Sequence, residues 1–449
     1  MQASKSLSLA SKLSLGRSGI NVARCMARRG MAGHTDALDP APTARQQEFL
    51  DLEDKYGAHN YAPIPVVLTR GEGVFAWDIE GKRYYDFLSG YSALNQGHCH
   101  PKIIGALVDQ AQKLTLTSRA FFNDCLGEYE EYITQLLGFD KVLPMNTGVE
   151  GGETALKLVR RWGYTVKGVP NNQAKVLYAR ENFWGRTTAA ISSSTDPESY
   201  EGFGPYMPGL DIIPYNDIPA LEAALEADPN IVAFMVEPIQ GEAGVVIPDA
   251  DYLTRAKEVL HRHNALLIAD EVQTGLCRTG KMLAVQHEGV KPDVLILGKA
   301  LSGGTMPISA VLADDDVMLT IKRGQHGSTF GGNPLAAKVA KASLEVLVEE
   351  KLAENAERMG NLFRQRLRDV DSPLVSEVRG RGLLNAIVID ESKGTGAWDL
   401  CLDLARRGFL TKPTHGNIIR LAPPLTISEE QIHEASDILE KAILDHTKA

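Results

Sequence analysis

Asp270 and Lys299 each follow a short run of apolar residues. The run before Asp270 is ALLIA, and the run before Lys299 is VLILG. Such runs are typical of buried strands in a parallel sheet, whose carboxyl ends meet where ligands bind in open α/β folds. A carboxylate and an amine in an apolar setting are costly unless each has a partner. Pyridoxal phosphate satisfies both, because its aldehyde forms a Schiff base with a lysine and its ring nitrogen pairs with an aspartate.

Taken singly, neither residue requires a ligand. Lys299 is then better explained as a lysine that reaches solvent from a strand end, and Asp270 as part of an acidic loop nearby. The neighbouring segments favour the cofactor. Residues 146–150 (NTGVE) link a strand-like run to a helix start, where amides and the helix dipole suit a phosphate. The hydroxyls of Ser328 and Thr329 suit the same phosphate. Phe183 offers a ring for stacking and Gln273 an amide for a phenolic oxygen, although an aromatic core cluster is the commoner role of such a ring.

The spacing of apolar residues predicts an α/β fold for the middle of the chain. Between about residues 90 and 340, strand-like runs alternate with helical patterns, as in βαβ units. Strands are predicted at 65–68, 73–77, 142–145, 175–178 and 231–236. A helix from Glu150 is predicted to bury Ala155, Leu158, Val159, Trp162 and Val166 on one face. Beyond these, the pattern predicts one long charged helix at 342–370, a strand at 417–421 and a final helix that opens with the capping box Ser428 and Gln431.

The composition argues against several classes of protein. A net charge of −10 over 449 residues makes nucleic acid or an anionic membrane an improbable general partner. No uncharged apolar stretch reaches the roughly 20 residues of a membrane span. The five cysteines are odd in number and include no CxxC pair, and His98, Cys99 and His100 stand without a second cluster. The sequence therefore predicts neither a disulfide framework nor a metal site.

Residues 1–35 differ from the rest of the chain. They contain six lysines and arginines, six serines and no acidic residue before Asp36. This composition is typical of a mitochondrial transit peptide and predicts a protein of the mitochondrial matrix. The alternative is a disordered basic tail on a cytoplasmic protein.

From about residue 40 to the C-terminus, the chain resembles the class III aminotransferases of fold type I. The resemblance rests on four motifs: residues 183–187 (FWGRT), 237–242 (EPIQGE), 268–275 (IADEVQTG) and 297–304 (LGKALSGG). It implies a fold type I transferase that depends on pyridoxal phosphate. It also implies a large domain at residues 91–341 with a mostly parallel central sheet, and a small α+β domain formed by residues 36–90 and 342–449.

The resemblance further implies a role for each residue around the cofactor. Lys299 is expected to form the Schiff base, and Asp270 is expected to pair with the ring nitrogen. Phe183 and Val272 are expected on opposite faces of the ring, with Gln273 beside its phenolic oxygen. The phosphate is expected to be held by Gly148 and Val149, and by Ser328 and Thr329 supplied from the neighbouring subunit of a homodimer.

Around the substrate, the residues resemble those of class members that act on ornithine. Tyr91 stands where relatives that act on acetylornithine or 4-aminobutyrate typically have a small or aliphatic residue. Tyr61, Tyr91 and Arg186 are expected to hold the α-carboxylate and α-amino group of ornithine, which leaves its δ-amine at the cofactor. Arg420 is expected to take the α-carboxylate of 2-oxoglutarate or glutamate, and to pair with Glu242 while ornithine is bound.

Three alternatives stay open at this point. Arg420 lies among apolar residues, where a structural ion pair is an equally simple explanation. The substrate is alternatively acetylornithine or 4-aminobutyrate. The third alternative is a non-catalytic protein that uses the cofactor fold to bind a partner. The presence of Lys299, Asp270, Arg420 and Glu242 together argues against it, because a protein without catalysis needs no such set.

Overall fold

The two apolar runs that end in Asp270 and Lys299 form neighbouring strands of one sheet. The structure is a computed structural model that describes residues 42–447, so the predicted transit peptide and Cys25 lie outside the described residues. The strands are β1 Leu68–Glu72, β2 Phe75–Asp78, β3 Arg83–Asp86, β4 Lys141–Met145, β5 Lys175–Ala179, β6 Leu210–Ile213, β7 Ile231–Val236, β8 Leu266–Asp270, β9 Val294–Leu297, β10 Ser309–Ala313, β11 Val375–Arg381, β12 Leu384–Ile389, β13 Phe409–Leu410, β14 Lys412–Thr414 and β15 Ile418–Leu421.

Helices flank these strands along the described chain. They are α1 Ala44–Tyr56, α2 Ser89–Ser92, α3 Pro101–Ala111, α4 Leu126–Leu137, α5 Gly148–Trp162, α6 Thr188–Ile191, α7 Pro197–Tyr200, α8 Ile218–Ala227, α9 Tyr252–Arg262, α10 Asp315–Met318, α11 Pro334–Glu349, α12 Leu352–Arg368, α13 Ala397–Arg406 and α14 Glu429–His446. Short 3₁₀ turns span Ala284–His287, Lys299–Ser302 and Glu391–Lys393, and a π-helical turn spans Gly163–Lys167.

The central sheet has the order β4-β10-β9-β8-β7-β5-β6. Strand β10 runs antiparallel to both of its neighbours, and the pairs β9–β8, β8–β7, β7–β5 and β5–β6 are parallel. Every residue of β7, β8 and β9 is buried, as expected for strands covered by helices on both faces. The predicted α/β fold with a mostly parallel sheet is confirmed.

Three local predictions were wrong. Of the predicted strand at 65–68, only Leu68 lies in a strand, because pairing of β1 with β2 begins there. Val166 belongs to the π-helical turn after α5 and is exposed, since the change of helix type turns it away from the buried face. The single helix expected at 342–370 is two helices, α11 and α12. They are separated at Lys351, whose φ of 52° lies in the left-handed region and breaks the helix.

The remaining sheets join distant parts of the sequence. Strand β13, from the C-terminal part, pairs in parallel with β3 and so completes the sheet β1-β2-β3-β13. The antiparallel sheet β11-β12-β15-β14 carries Arg420 on β15. Helix α14 opens with the predicted capping box of Ser428 and Gln431. The pairing of β3 with β13 agrees with a small domain built from both ends of the chain, although the predicted domain limits stay a prediction.

Residues 42–447 contain neither a candidate membrane span nor a candidate metal cluster. None of the helices in this range is both long and apolar enough to cross a membrane. No group of three or more potential metal-binding side chains converges within the same range. Cys99, Cys125, Cys277 and Cys401 are free thiols, and all except Cys99 are buried.

Candidate active site

Adjacent strand ends bring Asp270 and Lys299 to the same edge of the central sheet. Asp270 is the last residue of β8 and pairs in register with Ile296 of β9. Lys299 opens the 3₁₀ turn that follows β9 after Gly298, and its φ of 42° lies in the left-handed region. Non-glycine residues adopt this conformation only when their surroundings hold them there, and such residues are concentrated at functional sites. The expected meeting of the two strand ends is confirmed.

Burial perturbs the ionisation of both groups. It raises the pKa of Asp270 to about 6, against the opposing effects of the Val272 N–H, 3.0 Å from Asp270 Oδ1, and of Lys299. It also lowers the pKa of Lys299, and the positive charge of Arg420 acts in the same direction, whereas Glu242 and Asp270 oppose it. A lysine with a lowered pKa is available as a neutral amine, which is the form that attacks an aldehyde or removes a proton.

A cavity of about 230 Å³ opens beside these two groups. Seven of the residues predicted to bind the cofactor line it: Gly148, Val149, Phe183, Asp270, Val272, Gln273 and Lys299. Trp184, Gly185 and Glu237 complete the lining. The volume lies just below the range common for small-ligand sites, and the walls combine an aromatic ring, aliphatic groups and a few polar groups.

The start of helix α5 forms one end of this cavity. The Thr147 side chain accepts a hydrogen bond from the Glu150 N–H, and the Glu150 side chain accepts one from the Thr147 N–H. By helix geometry, the N–H groups of Gly148 and Val149 have no acceptor in their own helix. The backbone is packed closely here, since a Cβ on Gly148 would lie 3.0 Å from Val272 Cγ1. These features fit an anion such as a phosphate.

The set as a whole fits pyridoxal phosphate on the chemistry of its donors. An amine, a buried acid, a stacking ring and a helix N-terminus line one cavity, and these match the aldehyde, ring nitrogen, ring face and phosphate of that cofactor. Asp270 is buried and Lys299 is partly buried, and both have shifted pKa values, so a ligand with complementary groups would supply partners for them.

Arg420 and Glu242 form an ion pair near Lys299. Arg420 Nη1 donates to Glu242 Oε2 at 2.7 Å, and Nη2 donates to Oε1 at 3.3 Å. Burial alone would raise the pKa of Glu242, but Arg420 and, less strongly, Lys299 leave it lowered. The guanidinium carbon also lies 4.7 Å from the centre of the Tyr91 ring, and Tyr91 has a φ of 60°. The expected pairing of Arg420 with Glu242 is therefore present in the geometry.

Seven predicted site residues do not line this cavity: Tyr61, Tyr91, Arg186, Glu242, Ser328, Thr329 and Arg420. Tyr61 is 74% exposed, whereas Tyr91 is partly buried, and burial raises the pKa of Tyr91. Arg186 is exposed, with its guanidinium carbon 5.6 Å from the centre of the Phe183 ring. Thr329 is exposed, and Ser328 Oγ accepts hydrogen bonds at 3.0 Å from the Asn146 side chain and the Gly331 N–H.

Three residues of the cavity, Trp184, Gly185 and Glu237, were given no role from the sequence. Glu237 directly follows the apolar strand β7, just as Asp270 ends β8, so the strand-end argument applied to all strands would have found it. Trp184 stacks on Tyr178 with ring centres 5.6 Å apart and donates from Nε1 to Ser193 Oγ at 2.8 Å. It supports the wall beside Phe183, a role that depends on long-range packing.

Comparisons with known proteins agree with this site. Residues 56–443 match the family model described as Aminotransferase class-III. A relative from Drosophila melanogaster, named "Ornithine aminotransferase, mitochondrial", is 65% identical over 404 residues, which cover 90% of this chain and 93% of that protein.

Solved structures give the same result. An ornithine aminotransferase from Toxoplasma gondii, described as holding PLP at partial occupancy in its active site, matches with a TM-score of 0.88 and 50% identity over 89% of this chain and 94% of that one. An acetylornithine aminotransferase from Elizabethkingia anophelis matches with a TM-score of 0.81 and 56% identity over 89% and 99%. The chain belongs to the class III aminotransferase family and is a transaminase that depends on pyridoxal phosphate.

Proposed function

We propose that this enzyme transfers the δ-amino group of L-ornithine to 2-oxoglutarate in two half-reactions. The products are glutamate 5-semialdehyde, which cyclises to pyrroline-5-carboxylate, and glutamate. The observation that carries the proposal is the ion pair of the buried Arg420 with the partly exposed Glu242, beside Tyr91 and Lys299. Such a pair allows one site to accept a diamine and a dicarboxylic acid in turn.

Each residue of the cavity is assigned to a different part of the cofactor. Asp270 would bind at the ring nitrogen, Phe183 and Val272 would pack on the ring faces, and Gln273 would bind at the phenolic oxygen. When bound, pyridoxal phosphate accepts the amino group together with electrons from the reacting carbon. Lys299 would hold the cofactor covalently before the substrate binds, and once released it would move the proton at Cδ of ornithine as a neutral amine.

In the first half-reaction, ornithine has to present its δ-amine rather than its α-amine. Tyr61, Tyr91 and Arg186 bind its α-carboxylate and α-amino group away from Lys299. A free Arg420 would attract that carboxylate and draw the wrong amine towards the lysine. Glu242 prevents this by occupying both Nη atoms of Arg420, so selectivity comes from masking an attractive group.

In the second half-reaction, 2-oxoglutarate presents its α-carboxylate close to Lys299. Glu242 then moves aside, and the freed guanidinium binds the carboxylate with two parallel hydrogen bonds. Glu242 is able to leave because its side chain is 30% exposed, whereas that of Arg420 is 5% exposed and stays in place.

The competing substrates within the class are acetylornithine and 4-aminobutyrate. The protein from Elizabethkingia anophelis is described as an acetylornithine aminotransferase, which supports acetylornithine. The relatives from Drosophila and Toxoplasma are described as ornithine aminotransferases, which supports ornithine. Tyr91 beside Arg420 favours ornithine as well, because its ring closes the space that a smaller side chain would leave. Specificity constants for the three amines, measured side by side, decide between them.

Variants of the pair test the proposal through each half-reaction separately. Glu242→Ala is expected to increase reaction at the α-amine of ornithine and to preserve the glutamate half-reaction. Arg420→Ala is expected to slow the 2-oxoglutarate half-reaction about 10²-fold and the ornithine half-reaction much less, since truncating one partner of a buried charge pair costs roughly 2–5 kcal/mol. Single-turnover absorbance of the cofactor measures both. Equal losses in both half-reactions for both variants would rule out the masking role.

The proposal includes a homodimer and a mitochondrial location. Ser328 and Thr329 complete the phosphate site of the partner subunit, so the dimer is the catalytic unit. Residues 1–35 direct import into the matrix, which the composition of the segment and the name of the Drosophila relative support.

A further inference from the structure

Glu237 holds two separate loops of the active site with its two carboxylate oxygens. It directly follows β7 and is 8% exposed. Its Oε1 accepts a hydrogen bond from the Phe183 N–H at 3.0 Å, and its Oε2 accepts one from the Gly241 N–H at 3.4 Å. Phe183 lies in the loop after β5, and Gly241 lies in the loop after β7. One buried side chain therefore connects both loops.

Each of these two loops carries a residue that the proposed function uses. The first carries the Phe183 ring, which packs on the cofactor. The second carries Glu242, which follows Gly241 and pairs with Arg420. The second loop is also packed against Gln273, because a Cβ at Gly241 would overlap the Gln273 side-chain oxygen.

We propose that Glu237 is a positioning residue that aligns the Phe183 ring and the Glu242 carboxylate together. It thereby links the seating of the cofactor to the choice between the two amines of ornithine. The inference rests on the proposed function for the role of Glu242. The effect of Glu237 on Phe183 is independent of any substrate. A shift of Glu237 displaces both loops, so both effects are expected together.

The surroundings of Glu237 explain why its contacts are sensitive to substitution. Burial and the nearby Asp270 raise the pKa of Glu237 to about 8, while the Phe183 and Gly241 N–H groups and Lys299 oppose that rise. Both side-chain oxygens accept in the structure. A glutamine of the same size has one oxygen and one NH₂ group, and the NH₂ group cannot accept from a backbone N–H. Glu237→Gln therefore breaks one of the two contacts and leaves a buried donor without a partner.

The chain offers a matched control in Glu271. This carboxyl is also buried, and burial raises its pKa to about 7. It accepts hydrogen bonds from the Val285 N–H at 2.8 Å and from the Thr274 hydroxyl at 2.6 Å, and these two partners lie outside the loops of Phe183 and Gly241. Glu271→Gln thus disturbs a buried carboxyl to a similar degree without disturbing the two loops.

The experiment compares the wild-type holoenzyme with Glu237→Gln and Glu271→Gln. The visible circular dichroism of the bound cofactor reports the seating of its ring, without turnover. Single-turnover reaction with ornithine reports the ratio of α-amine to δ-amine reaction. We expect Glu237→Gln to change the circular dichroism and to raise that ratio about tenfold, the factor that the loss of one hydrogen bond represents. Glu271→Gln is expected to lower the unfolding temperature and to change neither readout.

A third variant guards against misfolding. Glu237→Asp keeps the acid but shortens its reach, so it should lose the longer Gly241 contact first and raise the ratio with little change in circular dichroism. Unchanged circular dichroism and an unchanged ratio in every folded Glu237 variant would overturn the inference. If wild type itself does not react at the δ-amine, the proposed function fails, whereas the circular dichroism comparison still tests the hold of Glu237 on Phe183.

Discussion

At the scale of single residues, burial holds the reactive groups close to their neutral forms. It lowers the pKa of Lys299, and raises that of Asp270 to about 6 and that of Glu237 to about 8. A positive ring nitrogen beside Asp270 favours its carboxylate, because an opposite charge stabilises the ionised form. The cavity is thus most favourable electrostatically when a cofactor with a basic ring nitrogen fills it.

Lys299→Met is expected to abolish turnover and to stabilise the apoprotein. Loss of the proton-moving amine should reduce the rate at least ~10³-fold, within the range of general acid–base effects. The stability change follows from the lowered pKa of Lys299 in the folded chain. At pH values below that lowered pKa the unfolded chain binds the proton better, so the lysine destabilises the fold, and this penalty disappears as the pH rises to the ordinary value for lysine.

Two measurements check this forecast. Cofactor absorbance and single turnover report the chemistry, and thermal unfolding of the apoprotein over a pH series reports the stability. The stabilisation should be largest near neutral pH and should shrink in alkaline solution. Turnover close to that of wild type, or a variant that is less stable at neutral pH, would contradict the assignment of Lys299 as a reactive amine with a lowered pKa.

At the scale of elements, strand ends and helix ends carry the chemistry. Asp270 ends β8, Lys299 follows β9, and Gly148 begins α5. Rigid elements place these residues accurately, because the strands are paired along their length and α5 is capped by Thr147 and Glu150. Between α11 and α12, by contrast, the direction of the chain depends on a single residue, Lys351, and not on a rigid element.

Lys351→Gly is expected to raise the free energy of unfolding by up to about 1 kcal/mol. Lys351 is exposed and has a φ of 52°, a conformation that costs residues with a Cβ roughly 1–2 kcal/mol but suits glycine. Part of this gain is lost because glycine is more flexible in the unfolded chain. Denaturant unfolding measures the change. The control is Lys351→Ala, which removes the same side chain but keeps the Cβ and should bring no gain.

At the scale of the whole molecule, Arg278 connects three parts of the chain. Its guanidinium is fully buried and donates to the Asn95 side chain, to the Leu383 carbonyl at 3.0 Å and to the Pro423 carbonyl at 2.6 Å.

Two aromatic rings on the surface indicate contact with another protein. Phe122 is fully exposed, and Phe330 is 57% exposed. Large exposed aromatic rings are typical of surfaces that another protein covers.

Association into a dimer is expected to be necessary for activity. Phe330 directly follows Thr329, so an interface that covers this ring also carries the Thr329 hydroxyl towards the partner. Phe330→Asp should therefore weaken association and cofactor binding together. Thr329→Ala should leave the dimer intact and weaken cofactor binding about tenfold, since one hydrogen bond to a charged group is lost. Light scattering and cofactor titration measure both, and a fully active monomer would contradict the prediction.

The sequence by itself determined the elements and the chemistry that depend on neighbours along the chain. The apolar runs before Asp270 and Lys299 predicted adjacent strand ends, because alternation and run length reflect local burial. The capping box at Ser428 was equally local. The cofactor followed from residue types at strand ends, and seven of the predicted residues line one cavity.

Tertiary structure alone decided the contacts between distant segments. Glu242 and Arg420 are 178 positions apart, and their pairing depends on how β15 is placed against the loop after β7. No local pattern predicted that Glu237 would accept hydrogen bonds from Phe183 and Gly241. No local pattern predicted the break at Lys351 either. Periodicity records which face of an element is buried, whereas the partner on the other side is chosen by packing of the whole chain.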